Sequence, residues 1–250
     1  MARTAVSGRL SGRLRWQTVT LTDRRDETAS ARTLVLDAPD WRGHAAGQHV
    51  DVRLTAEDGY STQRSYSVAS APGEGRMELT VQRVPDGEVS SYLLDVLEPG
   101  DQLELRGPVG GWFVWDPADP SPVLLVAGGS GIVPLMSMIR TRRSVVGPAP
   151  FRLLYSVRTP KDRYYVPELR PDDGLDVTCL YTRSAPAGWP RPPGRLAATD
   201  ETAFGRPAGP EPMCFVCGPT GFVELAAELL VAGGHDPDRI RTERFGPVGG

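Results

Sequence analysis

The segment AGGSGIVP, Ala127 to Pro134, follows the apolar run VLLVA and runs into the helix-patterned IVPLMSMIRTRR. Glycines at such a junction let the backbone approach a pyrophosphate, and the first N–H groups of the helix offer it positive charge. The third glycine of a GxGxxG fingerprint is missing, and Pro134 falls at an early helical position. On these residues alone, a phosphate cradle and a plain strand-to-helix turn both stay open. A second such turn, CGPTGF (Cys217 to Phe222), follows MCFVC and precedes VELAAELLVAGG. It marks the carboxyl end of a strand, where open α/β sheets bind ligands, so Cys217 is expected to project into a crevice. A lone cysteine there also reads as a small buried hydrophobe. Cys214 and Cys217 spell CxxC, but strand alternation sets them on opposite faces, which argues against a zinc or disulfide pair.

Nearer the N-terminus, RSYS (Arg64 to Ser67) combines a cation, an aromatic ring and two hydroxyls. Alternation places Arg64 and Tyr66 on one face of a strand, with Ser65 and Ser67 on the other. Some residues later, GEVSSYLLDVL (Gly87 to Leu97) carries apolar residues at helical spacing, with Ser90 as the expected N-cap. An arginine and a helix start in one small unit are two elements suited to phosphate.

The elements that must hold these groups differ between the two halves. LRWQTVTLT, ARTLVLDA, QHVDVRLT, RSYSVAS, MELTVQRV and DQLELRG are short segments of period two between Gly, Pro and Asp, which predicts an antiparallel barrel or sandwich. DPADPSP (Asp116 to Pro122) then breaks the pattern. VLLVA, FRLLYSV, LDVTCLY and MCFVC are apolar throughout and alternate with loops or helical segments, the pattern of a parallel sheet covered on both faces. The predicted fold is therefore two-domain: an antiparallel β-barrel over 1–116, then an α/β parallel-sheet domain over 117–250. Residues 184–212 are rich in Pro and Gly and are expected to be an irregular connection.

Taken in order, AGQHV, RSYSVAS, VQRVPDGEVSSYL, PGDQLELRGPVGGWF, LLVAGGSGIVPLMSMIR, VCGPTGFVE and ERFGP resemble the motif series of the ferredoxin-NADP reductase superfamily across nearly the whole chain. The resemblance implies a flavin-binding barrel followed by an NADP-binding domain, with the nicotinamide meeting the flavin ring between them. It implies that Arg64 pairs with flavin phosphate, Tyr66 packs against the ring, and Ser67 approaches the flavin N5 atom. Ser65, Gln82 and Val84 fall in the same flavin motifs, and Gly87, Val89, Ser90 and Ser91 match the flavin phosphate turn. Gly128, Gly129, Ser130 and Gly131 match the coenzyme pyrophosphate turn, and Cys217, Gly218 and Pro219 the nicotinamide flank. Phe245 matches an aromatic near the flavin, with Glu243 a neighbouring carboxylate. Val133 departs from relatives that carry Thr, Ser or Ala there. Ser67, Cys217 and Phe245 are the catalytic candidates.

A 2′-phosphate needs positive charge, which Arg158 and Arg183 offer after FRLLYSV and LDVTCLYT, and Arg195 in PGRL, an element similar to one in relatives, so NADPH is expected over NADH. Tyr164 or Tyr165 offers an adenine-stacking face. FAD is expected, with FMN the alternative. With 28 basic and 31 acidic residues there is no electrostatic case for nucleic acid or a bilayer. The arginine-bearing N-terminus has no apolar run, so no spanning helix is expected and the protein is expected to be cytoplasmic. Three cysteines are too few for a four-thiolate iron–sulfur cluster, so any such cluster is expected on another protein. The three histidines show no metal-ligand spacing, and no metal site is expected. The expected reaction passes electrons from NADPH through FAD to a separate redox protein, for which Arg3, Arg9, Arg13 and Arg15 offer a docking surface. The alternatives are a flavin or ferric reductase acting on diffusible molecules, and an electron-transfer subunit that does not turn over alone.

Overall fold

The structure is a computed structural model that describes residues 14–246 except 74, 148, 171–173 and 201–208. Arg3, Arg9 and Arg13 lie outside the described residues, whereas Arg15 is exposed just before the first strand. Six strands, β1 (Trp16–Thr28), β2 (Ala31–Ala38), β3 (His49–Thr55), β4 (Ser61–Ser67), β5 (Gly75–Gln82) and β6 (Gln102–Val109), pair antiparallel in the order β4-β3-β6-β1-β2-β5. A single bridge, Val68 to Leu79, brings the β4 end against β5 and closes the sheet into a barrel. Alternation decides what fills it: Leu34 and Leu36 on β2 sit opposite Leu79 and Met77 on β5, and all four are buried.

One helix, α1 (Glu88–Asp95), closes an end of the barrel with Val89, Leu93 and Leu94 turned into its core. The expected N-cap is corrected here. Gly87 is the capping residue and the helix has no side-chain cap. Ser90 instead lies inside the first turn, where its hydroxyl donates to the Gly87 carbonyl at 3.2 Å and accepts from the Val84 N–H at 3.1 Å. It closes the turn before the helix, and the first N–H groups of α1 are left without a side-chain acceptor.

The second unit is a parallel sheet of β7 (Val123–Gly128), β8 (Phe151–Val157), β9 (Leu175–Tyr181), β10 (Met213–Pro219) and β11 (Ile240–Phe245), ordered β11-β10-β7-β8-β9. The chain runs outward from β7 to β9, then returns to build β10 on the other side of β7. The gap between the carboxyl ends of β7 and β10 is thus the topological switch point, where such sheets bind ligands. Two helices cover the sheet, α2 (Ile132–Ser144) on one face and α3 (Thr220–Ala232) on the other. Leu125 and Ala127 face the α2 side, and Leu124 and Val126 the α3 side, which is why the strands are apolar throughout. In the expected irregular stretch, the described residues form turns and one short 3-10 segment, Ala198–Asp200, held by Arg191 to Asp200 at 2.5 Å.

Helix α2 is buried almost all round because the barrel packs on its second side. Ser137 donates to the Ser70 carbonyl at 2.7 Å, and Arg140 donates to the Ala69 carbonyl at 3.0 Å while pairing with Glu78 at 2.9 Å and Glu168 at 2.6 Å. At the far side, Arg241 on β11 donates to the carbonyls of Val114 and Trp112 at 2.5 and 3.2 Å. The two units are therefore joined at both flanks of the switch point.

Candidate functional site

Two clefts meet at that point. The first, about 310 Å³, runs over the turn after β7 and is lined by Gly128, Gly129, Ser130, Arg158 and Tyr164, among others. Gly129 adopts φ 55°, a left-handed conformation that favours glycine. Gly131 is required for a different reason: a Cβ there would overlap the carbonyl of Cys217, so only a bare backbone lets the two turns touch. Helix α2 continues from a 3-10 turn, Gly129–Gly131, that has no side-chain cap, so the N–H groups at the start of that turn have no side-chain acceptor and can meet an anion. Arg158 lies at the carboxyl end of β8, and the Arg183 N–H donates to its carbonyl at 2.9 Å. The Gly194 N–H donates to the Tyr181 carbonyl at 3.0 Å, which sets Arg195 at the same edge of the sheet. Arg183 and Arg195 are exposed and do not line the cleft. Asp162 does line it, but its Oδ2 accepts from the Thr159 N–H and hydroxyl, both at 2.8 Å.

The second cleft, about 350 Å³, lies between the units and is mostly apolar, lined by Ser65, Tyr66, Ser67, Thr80 and Val84 from the barrel and Val133 and Phe245 from the other side. Tyr66 packs on the barrel core, and burial pushes its hydroxyl up to about 12, so it stays protonated. The Ser65 hydroxyl donates to Asp51 at 2.7 Å, which turns it away from Tyr66 as alternation predicts. Gln82, Ser130 and Pro219 line both clefts, so the two open into one another. Below them on β4, Arg64 is exposed, donates to the Gln63 carbonyl at 2.7 Å and has no carboxylate partner among the described residues. It stands on the strand against which α1 packs, so a guanidinium without a carboxylate partner and an uncapped helix start belong to neighbouring elements. Val89 and Ser90 are buried, which leaves their backbone N–H groups as the parts of that turn able to meet a phosphate.

Two expectations are corrected. Cys217 does not project into the crevice: it is fully buried on the α2 face of the sheet, and burial holds its thiol well above the usual range. Its carbonyl, not its sulfur, meets the neighbouring turn at Gly131. Cys214 faces the opposite side, as the alternation requires. Tyr165 does not offer a stacking face, since its ring is buried and its hydroxyl reaches Thr80 across the domain boundary at 2.5 Å. Tyr164 remains on the first cleft. The sequence reading also missed Thr28 and Ser30, on the turn between β1 and β2, which line the same cleft from the barrel side.

Glu243 on β11 pairs in register with Cys217, two residues before Phe245 on the same face. Burial pushes its carboxyl up to about 7, and its Oε2 has no hydrogen-bond partner among the described residues. His49 Nδ1 lies 3.6 Å from its other oxygen, but burial lowers the His49 pKa, so near neutral pH this is a polar contact rather than an ion pair. From about pH 4.5 to 7 the unfolded chain releases a proton that folded Glu243 retains, so its contribution to stability falls as pH rises. The loss amounts to about 3 kcal/mol once pH exceeds the folded value. His49 acts with the opposite sign, because the unfolded chain holds its proton longer. Glu243→Gln removes only the first effect: thermal melts of the flavin-loaded variant and wild type are expected to converge at pH 4.5 and to separate at pH 8, with the variant higher by several degrees.

Comparison with known proteins fits this geometry. Residues 18–114 match the model of an oxidoreductase FAD-binding domain, and residues 125–228 that of an oxidoreductase NAD-binding domain. The chain is 37% identical over 193 residues to ferredoxin–NADP reductase B of Sorangium cellulosum, covering 74% of this chain and 78% of that one. It is 34% identical over 231 residues to the glycine betaine monooxygenase reductase subunit of Chromohalobacter salexigens, covering 88% of this chain and 61% of that one. It thus spans about three-fifths of that relative. A cytochrome P450 reductase of Amycolatopsis superposes with TM-score 0.78 at 27% identity, over 94% of this chain and 71% of that one. With both domain models matched in order, and a ferredoxin–NADP reductase 37% identical over 193 residues, the chain belongs to the ferredoxin-NADP reductase superfamily.

Proposed function

We propose that this chain takes electrons from NADPH onto bound FAD and passes them to a separate redox protein. One observation carries the reading: the polar cleft over an uncapped helix start and the apolar cleft beside Ser67 share Gln82, Ser130 and Pro219. A coenzyme in the first and a flavin ring in the second would meet face to face. When bound, the flavin accepts a hydride from the nicotinamide and releases electrons singly or in pairs. The protein's part is to bind, orient and exclude water.

Arg64 and the backbone N–H groups at Val89 and Ser90 hold the flavin phosphates, while Gly87 and Ser91, whose N–H groups donate to the Val84 and Gly87 carbonyls at 3.0 Å, shape the turn around them. Ser65, Tyr66, Ser67, Gln82 and Val84 form the ring's floor and edge, with Phe245 closing over it. Gly128, Gly129, Ser130 and Gly131 cradle the coenzyme pyrophosphate, and Gly218 and Pro219 flank the nicotinamide. Cys217 shapes that flank through its main chain. Arg158, with Arg183 and Arg195 at the same edge, meets the 2′-phosphate, and Asp162 is already engaged by Thr159. The domain boundary falls after residue 116. Among the described residues no helix is long and apolar enough to cross a membrane. Three buried free cysteines suit a reducing compartment, so we place the protein in the cytoplasm.

The glycine betaine monooxygenase subunit and the P450 reductase are named as reductases of other proteins, which favours a protein acceptor. Steady-state NADPH oxidation tests both halves of this reading. Arg158→Ala is expected to raise the KM for NADPH on the order of 10-fold while leaving that for NADH nearly unchanged. Added free FMN is expected not to accelerate NADPH oxidation. A rate that climbs in proportion to free flavin would replace the protein acceptor with a diffusible one.

A further inference from the structure

The barrel reaches across the domain boundary into the coenzyme cleft. Its β1–β2 turn places Thr28 and Ser30 on the wall of the cleft that Ser130 also lines, with their hydroxyls 3.5 Å apart. Thr28 Oγ1 accepts from the Ser30 N–H at 3.2 Å, which folds the turn so that both hydroxyls stand together.

Immediately before this turn, Glu27 anchors a chain of hydrogen bonds that crosses to the other unit and returns. The Thr33 hydroxyl donates to Glu27 Oε1 at 2.7 Å. Having one hydrogen, Thr33 must then accept from Thr80, 2.8 Å away. By the same logic Thr80 accepts from the Tyr165 hydroxyl at 2.5 Å. The Tyr165 N–H closes the ring on Glu27 Oε2 at 2.8 Å. Each hydroxyl thus donates in one direction toward an acceptor-only carboxylate, so the bonds reinforce one another. Thr33, Thr80 and Tyr165 are all buried. Arg140 lies over the Tyr165 ring at 5.2 Å, and Tyr165 sits at φ 55°, a conformation a bulky residue adopts only where its contacts impose it. A side chain from the parallel-sheet unit is therefore locked into the barrel beside the turn that lines the first cleft.

We propose that the barrel supplies part of the coenzyme site: Thr28 and Ser30 contact the coenzyme, and Tyr165 is a positioning residue that holds their turn through Thr80, Thr33 and Glu27. The coenzyme is then gripped by both units, which fixes the nicotinamide relative to the flavin ring. This rests on reading the cleft over Ser130 as the coenzyme site.

Calorimetric titration of oxidised, FAD-loaded protein with NADP⁺ tests it, using Ser30→Ala, Tyr165→Phe, their double variant, and Gly129→Val as a control in the cradle. Ser30 is exposed and Tyr165→Phe keeps the ring, so each is expected to leave the fold intact. Each single variant is expected to weaken NADP⁺ binding about three- to ten-fold. The double variant is expected to be no weaker than the weaker-binding single, because both act through one turn. Gly129→Val is expected to weaken binding most. Wild-type affinity in both single variants, with Gly129→Val impaired, would leave the coenzyme cleft standing and overturn the proposal. Additive losses in the double variant, or a lower melting temperature in Tyr165→Phe with unchanged NADP⁺ affinity, would overturn the positioning role. Unchanged binding in Gly129→Val as well would overturn the cleft reading and this proposal together.

Discussion

Arg64→Ala is expected to raise the dissociation constant for FAD roughly 10- to 100-fold, the value of losing charge-assisted bonds to phosphate. Arg64 has no carboxylate partner among the described residues and is exposed, so the apoprotein should melt within a degree or two of wild type. Lysine at this position should recover only part of the affinity, because it supplies a point charge where arginine supplies a planar fork. Fluorescence titration of apoprotein with FAD and with FMN measures the change directly. A large loss of apoprotein stability, with FAD affinity retained, would instead make Arg64 a structural residue.

Gly131→Ala has the second large expected effect. The new methyl meets the Cys217 carbonyl, so either the turn after β7 or that after β10 must move. Overpacking of this kind costs about 1–3 kcal/mol. The functional loss should exceed the loss of stability, because both turns line the place where the clefts join. A displacement near 1 Å there is expected to slow flavin reduction by NADPH on the order of 100-fold. Single-turnover reduction and a thermal melt on the same preparation separate the two. A variant that melts early but reduces at the wild-type rate would show that the turn contact is structural alone.

What could be read in advance follows from which interactions leave a local trace. Period-two alternation on β2 and β5 and the continuous apolar runs of β7, β8 and β10 record which faces are buried, so the two architectures were legible. The glycine turns were legible because only special backbone conformations or close approaches require them. The misread positions depend on long-range contacts. Ser90 has the residue type of an N-cap, but its hydroxyl finds Val84 and Gly87 instead. Cys217 faces inward because alternation along β10 sets it, with Phe215, on the side that α2 covers. Tyr165, one of two candidates for a stacking face, is instead taken up by Glu27, Thr33 and Thr80, which lie far away in sequence. Thr28 and Ser30 carry no motif at all, being an ordinary turn that a neighbouring unit makes part of a cleft. The raised pKa of Glu243 arises the same way, from walls that two units build around it.

Electron delivery requires that a reduced nicotinamide in one cleft reach a flavin in the other. Anaerobic stopped-flow mixing of FAD-loaded protein with NADPH, and separately with NADH, follows this through the visible flavin band. Rapid bleaching by NADPH and markedly slower bleaching by NADH are expected. A properly bound flavin that neither coenzyme bleaches would contradict the proposed function.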